Sequence, residues 1–194
     1  AGESCPEARA RQIHQLRQSV VLMDRLCAEL LETAVLEVRA PVEAHRPVAL
    51  AGVFDEVQRT LAPTARAQGL RLIVRPSALQ VRGDPLMLTR IFNNLVCNAV
   101  RATRKGGVLI GARRRGAEIR VDVCDTGRGI AAQHQKLVFE PFYQVPDAEG
   151  SSRTTGYGLG LATVQHLVQL HGGRLRLRSR PERGTTLSVY LPCA

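Results

Sequence analysis

The sequence predicts a two-layer α/β sandwich, in which a mixed and mostly antiparallel sheet of about five strands is covered by three helices and preceded by a long helix. Three observations predict it. Apolar residues recur with helical spacing in several segments, short strand-like runs follow one another as hairpins, and 194 residues, 44% of them hydrophobic, suffice for one medium domain with an appendage. We therefore divide the chain into a helix at 1–40, a linker at 41–51 and an α/β domain at 52–194. Residues 39–51, which contain Pro41 and Pro47, are predicted to form either a linker or a short edge strand.

The first element is a long helix predicted over residues 10–38 and ended before Pro41. Its apolar seam keeps a heptad spacing over about three repeats. The seam residues are Ile13, Leu16, Val20, Met23, Cys27, Leu30 and Ala34. Either this helix packs on its own domain, or it is one arm of a helical hairpin or dimer bundle. Because a narrow seam is best covered by a second helix, we expect a homodimer through residues 10–38.

The remaining elements follow in the order expected of the sandwich. Asp84 and Pro85 mark a helix start, because Asp favours the N-cap and Pro the first helical position, and Gly106 lies just past the end of that helix. The predicted helices span 52–68, 84–104 and 159–171, with a short one at 133–138. The predicted strands span 70–75, 108–115, 118–124, 174–179 and 185–191.

Charge and cysteine content narrow the classes of partner. The net charge of +10 favours polyanionic partners, but aromatic residues make up only 4% of the chain and Trp is absent, so we expect no nucleic acid. No apolar run is long enough to span a bilayer, and we expect no membrane contact by this chain. Five cysteines without C-x-x-C spacing are typical of a reducing cytosol, and we expect Cys97 and Cys124 to be small buried apolar residues.

Three motifs carry the chemistry of the domain. Residues 94–99 place two amides four residues apart on one helix face, residues 125–130 begin with an acid at a strand end, and residues 156–161 form a glycine ladder that opens a helix. Glycines let a backbone approach a phosphate, and a helix N-terminus attracts an anion. An Asp can accept a hydrogen bond from an exocyclic amine, and an amide oxygen can bind Mg²⁺.

In this order and at these spacings the motifs resemble the ATP-binding domain of sensor histidine kinases, within the superfamily that also holds gyrase, the MutL repair proteins and the Hsp90-type chaperone. Residues 94–99 are similar to the family's N box, 125–130 to its first glycine box and 156–161 to its second. Residues 139–142, Phe-Glu-Pro-Phe, resemble the F box, and 184–192 resemble the end of the domain. The resemblance implies a Bergerat-type ATP-binding fold.

The resemblance also implies a role for each matched residue. Asp125 would hold the adenine amine, with Thr185 as a second contact through water. Asn98, with Asn94 as a second candidate, would coordinate Mg²⁺. The catalytic candidates are Arg101, which would touch the phosphates, and Arg153, the only fixed positive charge in a mobile lid at 143–155. The ATP-binding candidates are Asn94, Asn98, Arg101, Asp125, Gly127, Gly129, Ile130, Phe142, Gly156, Gly158, Leu159, Gly160, Leu161 and Thr185.

The sequence departs from the family pattern at two places. Ala102 stands where the family often has an aromatic residue beside adenine. The family's phosphoacceptor motif is missing, because Gln15 replaces the acid next to His14 and no Thr-Pro follows. The helix at 10–38 is similar to the second hairpin helix, so we expect the phosphoacceptor histidine to lie outside this chain.

The function implied by the resemblance is a cytoplasmic, bacterial histidine kinase domain, in a parent protein that is free or membrane-anchored. ATP and Mg²⁺ would be its ligands, and a phosphoacceptor helix and a response-regulator receiver domain its partners. The alternatives are a superfamily ATPase or clamp and a non-catalytic dimerisation module. Asn94 argues against the ATPase, because those enzymes carry a general-base Glu four positions before the magnesium Asn. The alternating arginines of 174–180 predict a solvated sheet face or a docking site for an acidic partner.

Overall fold

A computed structural model gives the structure of the protein, and it describes residues 46–146 and 158–194. The predicted helix at 10–38 lies outside the described residues, as do most of the predicted linker and residues 147–157. Within the described residues, no helix is both long enough and apolar enough to cross a membrane.

The described residues form three α-helices and seven strands in the predicted α/β order. The helices are α1 (Leu50–Ala67), α2 (Pro85–Ala102) and α3 (Gly160–Leu170). The strands are β1 (Pro47–Ala49), β2 (Arg71–Val74), β3 (Gln80–Arg82), β4 (Gly107–Arg115), β5 (Glu118–Asp125), β6 (Arg174–Ser179) and β7 (Thr185–Pro192). The predicted fold class is therefore confirmed.

The helices form where the sequence provides an apolar stripe and a start signal. In α2, Asp84 Oδ1 accepts hydrogen bonds from the backbone N–H groups of Leu86 and Met87, so the predicted N-cap is confirmed. Phe92 of α2 packs edge-on against Phe54 of α1, with ring centroids 5.9 Å apart. Both rings are fully buried, and their contact packs α1 against α2.

The main sheet has the strand order β2-β4-β5-β7-β6, and only the β2–β4 pair is parallel. Along β5, alternate residues point to opposite faces. Ile119, Val121 and Val123 are buried under the helices, whereas Arg120 and Asp122 lie on the other face. We call that second face, on which no described helix packs, the outer face. β1 and β3 form a separate two-stranded ladder beside the end of the chain.

Three sequence predictions need correction. The short helix predicted at 133–138 is wrong: the chain forms two 3₁₀ turns, Ala132–His134 and Leu137–Phe139, and becomes extended at Glu140 ahead of Pro141. Strand β3 was not predicted, because three residues are too few to establish an alternating pattern. Cys97 and Cys124 are only partly buried, since Cys97 shares a helix face with the amides of α2 and Cys124 lies on the outer face.

Candidate nucleotide-binding site

The site is organised around Asp125, the last residue of β5. Its Oδ1 accepts a hydrogen bond from the backbone N–H of Gly127 at 2.8 Å and another from that of Thr185 at 3.1 Å. These bonds fix the carboxylate between the loop after β5 and the start of β7. With Oδ1 occupied twice, Oδ2 is the oxygen available to a donor group on a ligand.

The environment of Asp125 raises the pKa of its carboxyl above the ordinary value of 3.8. Burial is the main cause, because it disfavours the charged form. The two backbone N–H groups act in the opposite direction and offset part of this effect. A partly buried carboxylate with one free oxygen is suited to accept a hydrogen bond from an amine, and the amine can be uncharged.

Asp125 borders an open cleft of about 450 Å³. The cleft lies between the end of β5, the β6–β7 hairpin and the loop that carries Gln135. Its lining residues are Asp125, Gln135, Leu177, Arg178, Ser179, Arg180, Arg183, Gly184, Thr185 and Thr186. The lining is mostly polar: the cleft combines the partly buried acceptor Asp125 with Leu177 and several guanidinium groups, which suits a polar ligand with an anionic substituent.

A hydrogen-bonded clasp centred on Ser179 holds one wall of this cleft. Ser179 Oγ accepts the backbone N–H of Ile130 at 2.8 Å, lies 2.8 Å from Thr185 Oγ1, and is within 3.1 Å of the carbonyl oxygen of Gly184. Gln135 Nε2 donates to the carbonyl oxygens of Ile130 and Ser179, both at 3.0 Å. The clasp ties the glycine-rich loop to the β6–β7 hairpin and so holds the geometry around Asp125.

Sequence reasoning did not identify Ser179 and Gln135 as site residues. The signal for Ser179 was present: it occupies the inward position of the alternating β6 pattern, after Leu175 and Leu177, where a polar side chain needs a buried partner. Gln135 left no comparable signal, because its role depends on two carbonyl groups that are distant in sequence.

The predicted amide pair lies beside the start of α3. A methyl group placed on Gly160 would lie 3.3 Å from Asn98 Nδ2 and 4.0 Å from Asn94 Oδ1. The N box and the second glycine box therefore meet in space. The residue at the N-cap position of α3 is Leu159, and no described side chain caps this N-terminus. The free N–H groups of its first turn and the two amides are thus available to one anionic ligand.

The amide pair fits a magnesium ion only if phosphates and waters supply the remaining ligands. The described residues contain no group of three or more His, Cys, Asp or Glu side chains that could hold a metal. Amide oxygens from Asn98 and Asn94 are hard ligands, and Mg²⁺ is commonly completed by phosphate oxygens and waters. The donor set therefore fits an ion that arrives together with phosphates.

Two glycines of the site adopt a left-handed backbone conformation and pack tightly against neighbouring backbone, so a side chain at either position would clash. Gly158 has φ of +73°, and a Cβ there would lie within 3 Å of backbone atoms of Phe142 and Tyr143. The N–H of Phe142 donates to the carbonyl oxygen of Gly158 at 3.1 Å, and this bond joins the chain on either side of residues 147–157. Gly129 has φ of +66° and packs directly against the carbonyl group of Arg180.

The other predicted site residues have the following places. Arg101 is exposed in the last turn of α2, and Phe142 is exposed with φ of +65°. Leu161 is partly buried in the first turn of α3, and Gly127 packs against the carbonyl group of Ala102. Arg153 and Gly156 lie outside the described residues.

Comparison with known proteins agrees with this geometry. Residues 83–194 match the family of histidine kinase-, DNA gyrase B- and HSP90-like ATPases. The sensor-like histidine kinase SenX3 of Mycobacterium tuberculosis is 43% identical over 118 residues, 60% of this chain and 28% of that protein. The sensor protein kinase PmrB of Pseudomonas aeruginosa is 34% identical over 189 residues, 96% of this chain and 39% of that protein. The chain thus spans well under half the length of these relatives.

A solved structure extends the likeness to three dimensions. Full-length ShkA in complex with AMPPNP superposes with a TM-score of 0.72 at 27% identity, covering 100% of this chain and 40% of that one. The matched family model includes the amide pair, Asp125, the start of α3 and the β6–β7 hairpin. The chain therefore belongs to the family of histidine kinase-, DNA gyrase B- and HSP90-like ATPases, and its α/β domain is an ATP-binding domain of the sensor histidine kinase type.

Proposed function

We propose that this domain binds Mg-ATP and transfers the γ-phosphate to a histidine on a helix outside this chain, from which an aspartate of a response-regulator receiver domain takes it. The observation that carries the proposal is that one domain contains two groups of residues, one suited to bind a base (the base end) and one suited to bind phosphates (the phosphate end). Asp125 and its clasp form the base end, and the amide pair beside the uncapped start of α3 forms the phosphate end. The neighbour ShkA was solved with AMPPNP, an ATP-like ligand.

At the base end, Asp125 favours adenine because its free oxygen accepts a hydrogen bond. An ionised carboxylate only accepts, and adenine presents an exocyclic amine as a donor. The clasp around Ser179 keeps the hairpin from moving away from Asp125, so the acceptor is positioned before the base arrives. Thr185, buried beside Asp125, is the second polar group at this end and would act through a water.

At the phosphate end, the protein supplies dipoles and positive charge. The first-turn N–H groups of α3 would bind phosphate oxygens, and the amides of Asn98 and Asn94 would ligate the Mg²⁺ that accompanies them. Arg101, exposed one turn after Asn98, would pair with the phosphates, and Arg153 would stabilise the charge on the γ-phosphate during transfer. None of these groups is a general base, and transfer to a nucleophilic imidazole does not require one from the donor domain.

Asn94 distinguishes this proposal from that of an ATPase. Activation of water for hydrolysis needs a side chain that takes up a proton, and a carboxamide does not. Both residues of the amide pair lack that capacity, and so does every described side chain that lines the base end except Asp125, which would be engaged with adenine. We therefore expect slow ATP hydrolysis when no acceptor helix is present.

Phosphate transfer in trans tests the proposal. The chain is incubated with γ-labelled ATP and Mg²⁺, alone and with the acceptor-helix segment of its parent protein. We expect acid-labile label on the acceptor only, and loss of that label in Asn98→Ala. His14→Ala serves as the matched control and should transfer like the parent chain. Label on His14, or rapid phosphate release without an acceptor, would contradict the proposal.

A further inference from the structure

We propose that the outer face of the sheet is a docking site for a carboxylate-rich surface of a partner protein. Eight arginines and two acids lie on this face, an excess of six positive charges; seven of the arginines are within strands and Arg75 follows the end of β2 directly. The arginines are Arg71, Arg75, Arg113, Arg115, Arg120, Arg174, Arg176 and Arg178, and the acids are Glu118 and Asp122. The face lies opposite the helix layer, and the proposal is independent of nucleotide binding.

The register of the strands arranges these residues in rows across the sheet. One row contains Gly111, Asp122, Ser188 and Arg176 on successive strands, and Arg75, just past the end of β2, lies against Gly111. The two arginines thus lie at opposite edges, about 19 Å apart at the usual strand spacing of about 4.8 Å. Small residues occupy the middle of the row. This row therefore has an arginine at each edge of the sheet and shorter side chains between them.

Part of this arginine layer is already fixed in place by hydrogen bonds. Asp122 Oδ2 accepts from Arg113 Nη2 at 2.8 Å and from Arg120 Nη2 at 2.7 Å, and its Oδ1 accepts from Ser188 Oγ at 2.6 Å. Asp122 is only 7% exposed although no described helix covers this face, because the arginine side chains cover it. Fixed side chains lose little conformational entropy on binding.

A second fixed group lies at the β6 edge. The Arg174 guanidinium stacks over the ring of Tyr190 at 3.6 Å and donates to Glu118 Oε2 at 2.7 Å. Both acids on the outer face are therefore paired with arginine side chains, which shows that these guanidinium groups can bind carboxylates. Arg75 and Arg176 are exposed, and no described acid pairs with them. Their guanidinium groups are free to take bidentate carboxylates.

The composition of the face favours a protein over other polyanions. The described residues of this face include no lysine, and its only aromatic ring, Tyr190, is covered by Arg174 and cannot stack on a base. Among the described residues, no helix or loop projects from it to enter a duplex groove. For a membrane, the face offers one large exposed apolar side chain, Ile73, which is too little to insert. Planar guanidinium groups match the bidentate geometry of carboxylates on a protein surface.

Binding of three probes to charge-reversal variants tests the proposal. The probes are a glutamate-rich peptide, a DNA duplex and a phosphatidylserine vesicle, each measured at low salt against the whole chain. The test variant is Arg75→Glu with Arg176→Glu, and the matched control is Arg59→Glu with Arg82→Glu, which changes the net charge equally on exposed positions elsewhere. A second test variant, Arg75→Lys with Arg176→Lys, keeps the charge and removes the planar fork.

We expect the peptide to bind most tightly of the three probes. The Glu variant should weaken its binding about tenfold, the Lys variant about threefold, and the control less than twofold. ATP affinity should be equal in all variants, which shows that they are folded and separates this proposal from the proposed function. If the control variant weakened peptide binding as much as the Glu variant, binding would depend on net charge alone and not on this face, and the proposal would be overturned. Tighter binding of the duplex or the vesicle through the same arginines would also overturn it.

Discussion

Asp125→Asn tests the base end of the site with a single change of atom. In the parent chain, Oδ1 of Asp125 accepts two backbone N–H groups and Oδ2 is free for the adenine amine. The amide could keep its oxygen towards Gly127 and Thr185, and its NH₂ would then face the adenine amine, donor against donor. The reverse orientation would place NH₂ against two N–H groups. The substitution therefore leaves the loop intact and removes the acceptor for adenine.

The magnitude follows from the bond that is lost. A hydrogen bond to a charged acceptor contributes about 1.5–3 kcal/mol, and unpaired donors add to the cost. A loss of about 2.5 kcal/mol corresponds to binding that is weaker by roughly 60-fold. Inosine triphosphate, which carries an oxygen in place of the amine, should behave differently, because its oxygen can accept from the new NH₂. The preference for ATP over inosine triphosphate should therefore fall by more than tenfold in Asp125→Asn.

Calorimetric titration with both nucleotides and Mg²⁺ measures this preference. Asp55→Asn is the matched control, since Asp55 is an exposed acid on α1 and should leave both affinities unchanged. Thermal unfolding of both variants checks that the loop is retained. Equal losses of ATP and inosine triphosphate in Asp125→Asn would mean that the residue shapes the loop and does not contact the base, and the assignment would be refuted.

Three further predictions address other parts of the fold. Gly160→Val should weaken Mg-ATP binding about tenfold with little loss of folding stability, measured by titration and thermal unfolding, because its side chain would displace the amides of Asn98 and Asn94. His171→Ala should lower the free energy of unfolding by about 2 kcal/mol in denaturant titration, because the ring accepts from the N–H of Asp84 at 3.2 Å and bonds the carbonyl of Leu167 at 2.8 Å. Burial alone would raise the pKa of Asp122, but hydrogen bonds from Arg120, Ser188 and Arg113 outweigh it and lower the pKa. The stabilisation from this carboxylate is complete above its ordinary pKa of 3.8 and is lost as the pH falls through the lower folded value. Asp122→Asn should therefore flatten the acid side of the curve of unfolding free energy against pH.

The sequence predicted best those elements whose signals are local. Asp84 and Pro85 place the start of α2 to the residue, because a cap depends on the chemistry of adjacent residues alone. The alternation of arginine and leucine in β6 likewise predicts which side chains face the helices. Nothing local identifies the parallel partner of β2 or the short ladder of β1 and β3, since pairing depends on chain segments that are far apart.

The site shows the same division. Asp125, Asn98 and Gly160 could be proposed from the sequence because each belongs to a motif with fixed spacing. The clasp was not predicted, because two of its bonds join residues more than forty positions apart in the sequence: Ser179 with Ile130, and Gln135 with the carbonyl group of Ser179. The functional role of every site residue stays a prediction, as does the dimer through residues 10–38, and Arg153 and Gly156 also lie outside the described residues.

The two ends of the nucleotide site stand on different elements, and this separation has a measurable consequence. Asp125 is held by the glycine-rich loop and the β6–β7 hairpin, whereas Asn98 lies on α2 beside Gly160, and no hydrogen bond between described residues joins the two side chains. Changes at independent sites add to within about 0.5 kcal/mol. The losses of ATP affinity in Asp125→Asn and Asn98→Ala should therefore add in the double variant, as measured by calorimetry in a double-mutant cycle. A coupling well above 1 kcal/mol would mean that base recognition reorganises the phosphate end, and the account of two preformed ends would then be wrong.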